Sequence, residues 1–282
     1  MEIIKPSCEL WIQDDPIAHV ARCARICYAS DKTTGNEAMY QRLIDSNHKS
    51  MFRHQSVYYI IPYKGWILAN LQRYEECPYF EFRYDFDYIY VSTNKQFIME
   101  HNVFEESYRA FEVDGLEFAN TPNGFELMRY TFRVVTQIST SRELNRVSPN
   151  NIAEQSTRYV NLSKKGGAIC QPHWMTDEEV ESWEDDDLDS DNRVAVYLNS
   201  CEQAFEDYNY LLQDDMLPQD ARGVLPLDTA TVCIYTYSIS EWRHIIDLRY
   251  YGTTGAAHPN AVIIAGMIRE KLIDAGYDFR DK

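Results

Sequence analysis

Arg142-Glu143-Leu144-Asn145-Arg146-Val147-Ser148-Pro149-Asn150-Asn151-Ile152-Ala153-Glu154-Gln155-Ser156-Thr157-Arg158-Tyr159 follows a segment patterned as a strand running into a helix. Upstream, Met128–Gln137 alternates Tyr130, Phe132 and Val134 with Thr131, Arg133 and Val135, the period of two that lays one face of a strand on a core. Thr140-Ser141-Arg142-Glu143 has capping-box spacing, in which a Thr hydroxyl and a Glu carboxylate satisfy the first free amides of a helix. The spacing predicts a helix that begins as the strand ends. Within the next sixteen positions fall Glu143, Arg146, Glu154, Ser156 and Arg158. Guanidinium groups present a rigid fork of donors suited to phosphate, and backbone amides at a turn or helix start complete an anion site. A phosphate site is one reading of this stretch; a surface helix with charged neighbours is the other.

Outward from the junction, helices and strands interleave. Asp15-Pro16 followed by Ile17, Val20, Ala21, Ala24 and Ile26 predicts a capped amphipathic helix, and Glu37–Ile44 a shorter one. Ser56–Pro62 reads as a strand, rich in aromatic and β-branched residues. Lys64–Phe125 is crowded with Tyr and Phe and reads as an insertion with its own short strands and a helix near Phe104–Phe111. Thr176–Asp191 is acidic and reads as a solvated loop or helix start. A long helix over Asn192–Leu212, a short one over Pro218–Val224, a strand over Asp228–Tyr237, a helix over Ser240–Leu248 and a last helix over Pro259–Ala275, closed by Gly276, complete the pattern.

Composition narrows the function. A length of 282 residues suffices for a sizeable core, and no apolar run approaches the roughly 18 residues that span a bilayer. The opening Met1-Glu2-Ile3-Ile4-Lys5-Pro6 lacks the features of a secretory signal, so a cytoplasmic location is expected. Seven cysteines without a C-x-x-C pair argue against a disulfide framework or zinc ribbon, and no metal is expected. A net charge of −17 disfavours nucleic acid polymers and anionic membranes as partners. An anionic ligand must then be met by a local cluster of arginines.

Four blocks identify a family. His48-Lys49-Ser50-Met51-Phe52-Arg53-His54, E-L-x-R followed by S-x-R-Y (Glu143 to Tyr159), Ala221-Arg222-Gly223-Val224-Leu225-Pro226 and Ser240-Glu241-Trp242-Arg243-His244-Ile245-Ile246-Asp247-Leu248-Arg249 occur in this order. They resemble the motifs H-x-S-x-x-E-H, A-R-x-x-L-P and R-E-W-R-H-F-x-x-L-R and the signature of flavin-dependent thymidylate synthases. The resemblance implies one α/β (α+β) domain over residues 1–282, with a mostly antiparallel sheet flanked by helices and the 64–125 insertion. It also implies a homotetramer whose subunits share active sites. The implied reaction transfers a one-carbon unit from methylenetetrahydrofolate to C5 of dUMP, giving dTMP with hydride from reduced FAD, itself reduced by NADPH. On the same resemblance Glu143, Arg146, Glu154, Gln155, Ser156, Thr157, Arg158, Arg222 and Arg249 bind the nucleotide, with Arg158 and Arg222 on its phosphate. Arg249, which would favour ionisation at N3 of the ring, and Ser156 are the implied catalytic residues. The implied flavin contacts are His54, Ser56, Arg146, Val147, Ser148, Glu154, Ser238, Ile239, Ser240 and His244. His54, His244 and His258 also suit core or capping roles, the simpler reading for His258 before Pro259.

The departures cluster on one ligand. The family's R-H-R is Arg146-Val147-Ser148 here, its N-x-R is Ser238-Ile239-Ser240, the Glu of H-x-S-x-x-E-H is Arg53, and Gln219 stands where relatives often carry an acid. Each charged hydrogen bond lost costs about 1.5–3 kcal/mol of flavin affinity unless another group, such as Arg53, replaces it. Two alternatives therefore stand beside the full reaction: a folate-dependent hydroxymethylase that omits the reductive step, and a nucleotide-binding relative without catalysis.

Overall fold

The longest pairing in the chain is between two nine-residue strands on either side of the signature stretch. The computed structural model describes residues 1–28, 35–147, 151–158, 162 and 167–279. Its strands are β1 (Glu2–Ile4), β2 (Ser7–Trp11), β3 (Ser56–Pro62), β4 (Glu81–Tyr84), β5 (Tyr88–Asn94), β6 (Glu112–Val113), β7 (Arg129–Gln137), β8 (Ile152–Glu154), β9 (Ala168–Cys170) and β10 (Ala230–Ser238). β7 and β10 pair antiparallel over their whole length, from Ala230 opposite Gln137 to Ser238 opposite Arg129. β2 and β8 flank them, giving a central antiparallel sheet ordered β2-β7-β10-β8.

The alternation read in the sequence sets what each face does. Phe132, Val134, Cys233, Tyr235 and Tyr237 point to one side, against Trp242 and Ile246 of the helix Ile239–Arg249 and Ile264 and Ile268 of the helix Pro259–Asp274. Ile234 and Ala153 point to the other, against Val20, Ala21 and Ala24 of the helix Pro16–Tyr28. Helices thus cover both faces of an antiparallel sheet, as the resemblance implies. The ends of the last helix follow the expected chemistry: the His258 side chain accepts from Asn260 N at 3.2 Å, and Gly276 adopts φ +101° just beyond the helix.

The 64–125 segment builds onto β3. β5 pairs with β3 from Ser56↔Asn94 to Pro62↔Tyr88, and β4 and β6 complete a second antiparallel sheet ordered β4-β5-β3-β6. Its aromatic richness is explained by a core of its own, in which Tyr59, Phe80, Phe97 and Phe104 pack edge-on or tilted with Val57, Ile61, Leu71 and Val91. The helix expected near Phe104–Phe111 is an α-helix over Asn102–Tyr108 that tightens to a 3₁₀ turn over Arg109–Phe111.

One local expectation is corrected. The helix after β7 begins at Ile138, not at a capping box on Thr140. Its first amides are satisfied by backbone of the 225–229 loop, Ile138 N to Thr229 O at 3.1 Å and Ser139 N to Leu227 O at 3.0 Å, while Thr140 Oγ1 donates to Gln137 Oε1 at 2.7 Å. No side-chain cap is needed, and Glu143 is released for other work. Capping boxes form instead at Thr176/Glu179, where the acidic run becomes the helix Asp177–Glu184, and at Ser238/Glu241. All seven cysteines are free thiols, and among the described residues no helix is long and apolar enough to cross a membrane.

Candidate functional site

The nucleotide-binding residues implied by the sequence fall into two groups at one end of the central sheet. In the first, Arg249 in the last turn of the Ile239–Arg249 helix is 15% exposed and fixed from two sides. Its Nε donates to Glu143 O at 2.8 Å and its Nη2 lies 3.6 Å from Glu143 Oε2. The other carboxylate oxygen of Glu143 is 3.7 Å from Nη1 of Arg146, whose side chain is 74% exposed. One acid thus joins a held guanidinium and a solvent-facing one, and Arg249 Nη1 has no bonding partner among the described residues.

The second group lies where β8 ends. Gln155 N donates to Val232 O at 2.8 Å and Ser156 N to Cys27 O at 3.1 Å, so the turn is held between β10 and the first helix. Ser156 Oγ accepts from Arg158 N at 3.2 Å, Arg158 Nε donates to Gln219 Oε1 at 3.1 Å, and Arg222 Nη1 donates to Thr157 Oγ1 at 3.1 Å. Two exposed guanidinium groups therefore share one turn. Gln219 orients Arg158 through a neutral amide oxygen. Glu154 joins the two groups, its Oε1 accepting from Ser141 Oγ at 2.9 Å in the Ile138–Asn145 helix and from Thr231 Oγ1 at 3.2 Å on β10.

The implied flavin residues do not converge in the same way. Ser238 and Ser240 sit at the start of the Ile239–Arg249 helix, roughly 13 to 16 Å from Arg249 at about 1.5 Å of rise per residue. Both hydroxyls donate to the carboxylate of Glu81 on β4, Ser240 Oγ at 2.9 and 3.0 Å from its two oxygens. The Ile239 side chain is 0% exposed in the main core, Val147 packs against that core, and His244 is exposed. Ser148 lies outside the described residues.

His54 belongs to a buried polar chain that the sequence did not reveal. Arg22 Nη2 donates to His19 Nδ1 at 2.6 Å, which leaves the His19 proton on Nε2, facing Thr131 Oγ1 at 3.2 Å. Thr131 Oγ1 lies 2.8 Å from Thr236 Oγ1, and Thr236 Oγ1 lies 2.8 Å from His54 Nδ1. Passed along in one direction, each proton finds an acceptor, and His54 ends the chain with its own proton on a buried Nε2 that has no partner. Burial holds both imidazoles neutral, bringing His19 down to about 4 and His54 to about 3, with Arg22 beside the first and His19, Arg129 and Arg53 beside the second adding to the effect. Ser56, next to this chain, lines a cleft of about 480 Å³ with Thr131 and Arg129, and Arg129 is 5% exposed with its Nε unpartnered. Arg129 and His19 were missed by sequence reading. For Arg129 a signal existed: it stands two residues from Thr131 on β7 and therefore on the same inward face.

Residues 97–274 match the family model described as thymidylate synthase complementing protein. The chain belongs to this family. The match contains Glu143, Arg146, Glu154, Arg158, Arg222 and Arg249, and it bears out the resemblance to flavin-dependent thymidylate synthases. Among curated members, the flavin-dependent thymidylate synthase of Haloarcula marismortui is 27% identical over 104 residues, covering 36% of this chain and 41% of that protein. That of Halobacterium salinarum is 33% identical over 107 residues, covering 34% and 43%. The chain thus spans less than half the length of these curated relatives. Among solved structures, a UMP/dUMP methylase, PolB, from Streptomyces cacaoi bound with 5-Br dUMP aligns over 97% of this chain and 93% of its own, with 16% identity and a TM-score of 0.47.

Family membership raises the question of whether the side chains here suit FAD. FAD needs donors for its anionic pyrophosphate and ring. Ser238 and Ser240 are committed to a carboxylate, Ile239 and His54 are sealed in cores, and Val147 offers no donor. Arg53, the candidate replacement, donates from Nε to Gln96 and lies 5.0 Å over the Tyr79 ring, on the inserted segment. The described residues of the chain do not fit FAD in the arrangement that the motifs imply.

Proposed function

We propose that the chain transfers a one-carbon unit from methylenetetrahydrofolate to C5 of dUMP. The observation that carries this reading is the turn at Ser156-Thr157-Arg158, where Arg158 and Arg222 stand together in a protein of net charge −17. A dianionic phosphate is the ligand that such a pair recognises best. Gln155, Ser156 and Thr157 supply further donors around it, Ser156 in the family's catalytic position. Arg249, held rigid by Glu143 with Nη1 to spare, is placed in this reading against the pyrimidine ring. A fixed cation beside N3 and its neighbouring carbonyl stabilises negative charge as C5 becomes nucleophilic, and it needs no cysteine. Arg146 and Glu154 complete the pocket wall. In the family reaction reduced FAD supplies the hydride and NADPH reduces it, giving dTMP; a symmetric homotetramer that completes each site belongs to the same reading.

The Glu81–Ser238–Ser240 cluster favours a second reading, in which the reductive step is omitted. C5 bonds to the folate methylene, the C5 proton leaves, and water adds to the methylene carbon as tetrahydrofolate departs and takes up a proton. The product is a 5-hydroxymethyl nucleotide, and no electrons are exchanged with an outside reductant.

Calorimetric titration with dUMP tests the common part. Micromolar binding by the native chain and none by Arg158→Ala is expected; equal affinity in the two refutes the site. Product analysis by mass spectrometry, with folate supplied with and without FAD and NADPH, separates dTMP from hydroxymethyl nucleotide. Binding without either product would leave a nucleotide-binding protein.

A further inference from the structure

The start of the Ile239–Arg249 helix is occupied from outside the central sheet. Ser238 Oγ accepts from Glu241 N at 3.3 Å and donates to Glu81, while Ser240 Oγ donates to the same carboxylate. Glu241 returns the capping box, its Oε2 accepting from Ser238 N at 2.9 Å. Two carboxylates therefore meet within reach of one serine hydroxyl. Burial pushes the Glu241 carboxyl above its ordinary range; Arg129 opposes the rise and Glu81 adds to it.

Glu81 arrives there by design of the second sheet. β4 pairs with β5 with Glu81 opposite Ser92, and the second sheet sets this edge strand beside the helix start. The adjoining cleft of about 430 Å³ is lined by the acids Glu75, Glu81 and Glu126 and by Arg83 and Arg243, and Arg243 is paired with Glu126 at 2.7 Å. With Arg243 and Glu126 paired to each other, the two acids Glu75 and Glu81 remain against one base, Arg83. A diphosphate entering here would meet like charge and find the serine donors taken.

We infer that Glu81 closes the start of the 239–249 helix to the pyrophosphate of FAD, and that delivering this carboxylate is one task of the aromatic insertion. The inference rests on the family reading above for the identity of the excluded ligand, and it gives the loss of flavin contacts a cause within this chain. Ser238 and Ser240 stand where an N-x-R sequence would carry its polar and cationic side chains, and they accommodate the carboxylate as donors.

The test uses the full-length chain as native protein, Glu81→Gln and Glu81→Ala. Glu81→Gln retains the shape and removes the charge, which guards against loss of folding in Glu81→Ala; thermal melting identifies the variants that fold. FAD binding is followed by quenching of flavin fluorescence, and dUMP binding is measured separately by calorimetry. The native chain is expected to purify colourless, and at least one folded variant to bind FAD tenfold tighter or better, with dUMP affinity unchanged. Stoichiometric FAD in the native protein, or no gain in any folded variant, overturns the inference. Loss of dUMP binding in the native chain would instead sink the nucleotide reading, so the two failures are distinct.

Discussion

Acidification should unfold this protein through two histidines. Unfolded, His19 and His54 take up protons near the ordinary 6.5; folded, burial postpones this to about 4 and about 3. Above 6.5 both states are neutral and the chain from Arg22 to His54 contributes its full stability. As pH falls below 6.5 the unfolded state binds protons that the folded state refuses, so stability declines until the folded pKa values are reached. Between pH 7 and pH 5 the loss is about 2 kcal/mol for each imidazole, about 4 kcal/mol together, a large part of the 5–15 kcal/mol typical of a domain. The geometry gives the same sign: a second proton on His19 would have to sit on Nδ1, facing the Arg22 donor at 2.6 Å. Urea unfolding at pH 7, 6 and 5, followed by tryptophan fluorescence, measures the loss. In His19→Gln/His54→Gln the amides keep an acceptor for Arg22, a donor for Thr131 and an acceptor for Thr236, so the variant should be less stable at pH 7 but nearly flat to pH 5. Raised carboxyls such as Glu241 work in the opposite direction and are common to both proteins. A native chain that loses under about 1 kcal/mol over this range, or a double variant with the native slope, would mean that the two histidines do not set the acid stability.

Three further outcomes are expected. Arg222→Ala should weaken dUMP binding by about 10- to 150-fold, the value of one charge-assisted hydrogen bond of about 1.5–3 kcal/mol, in calorimetric titration; no change would remove Arg222 from the phosphate site. Arg249→Lys should lower turnover at least tenfold with little change in KM, because one ammonium cannot bond Glu143 and also face the ring; a proportional rise in KM alone would assign Arg249 to ground-state binding. Gly124→Ala would place a Cβ 2.1 Å from the Phe118 carbonyl oxygen, and the overpacking should cost about 1–3 kcal/mol, or roughly 2–12 °C in a thermal shift. An unchanged melting temperature would contradict the 118–124 turn.

The central sheet was legible because its signal is local. The alternation of Tyr130, Phe132 and Val134 with Thr131, Arg133 and Val135 needs only a backbone period of two, and β7 follows it over Arg129–Gln137. The helices were legible for the same reason, through their caps and stripes. The start of the Ile138–Asn145 helix was misread because its caps come from backbone 88 and 91 positions away, in the 227–229 loop, a partner that no spacing within the helix announces. The short strands β1, β2, β8 and β9 carry too few residues for a period to show.

For the candidate site the same physics divides what was read from what was not. Arginines declare themselves by type, since a guanidinium placed among acids in an acidic chain demands either a partner or an anion. Their distribution was not declared: Arg249 reaches Glu143 across 106 positions and Arg222 reaches Thr157 across 65. The flavin positions show the opposite case. Ser238 and Ser240 read as lost contacts, and only the fold reveals that their hydroxyls gained Glu81, 157 and 159 positions away. A serine where an arginine is expected is thus no simple deletion. It removes a cation that would have paired with Glu81 and supplies donors that hold the carboxylate in place, so the composition of the helix start and that of the inserted strand are coupled through one hydrogen-bonded cluster. Substituting Ser240 back to Arg in the presence of Glu81 would form an internal ion pair and return no flavin site, whereas the change made together with Glu81→Ala leaves a cation facing the cleft with no acid at position 81 to claim it.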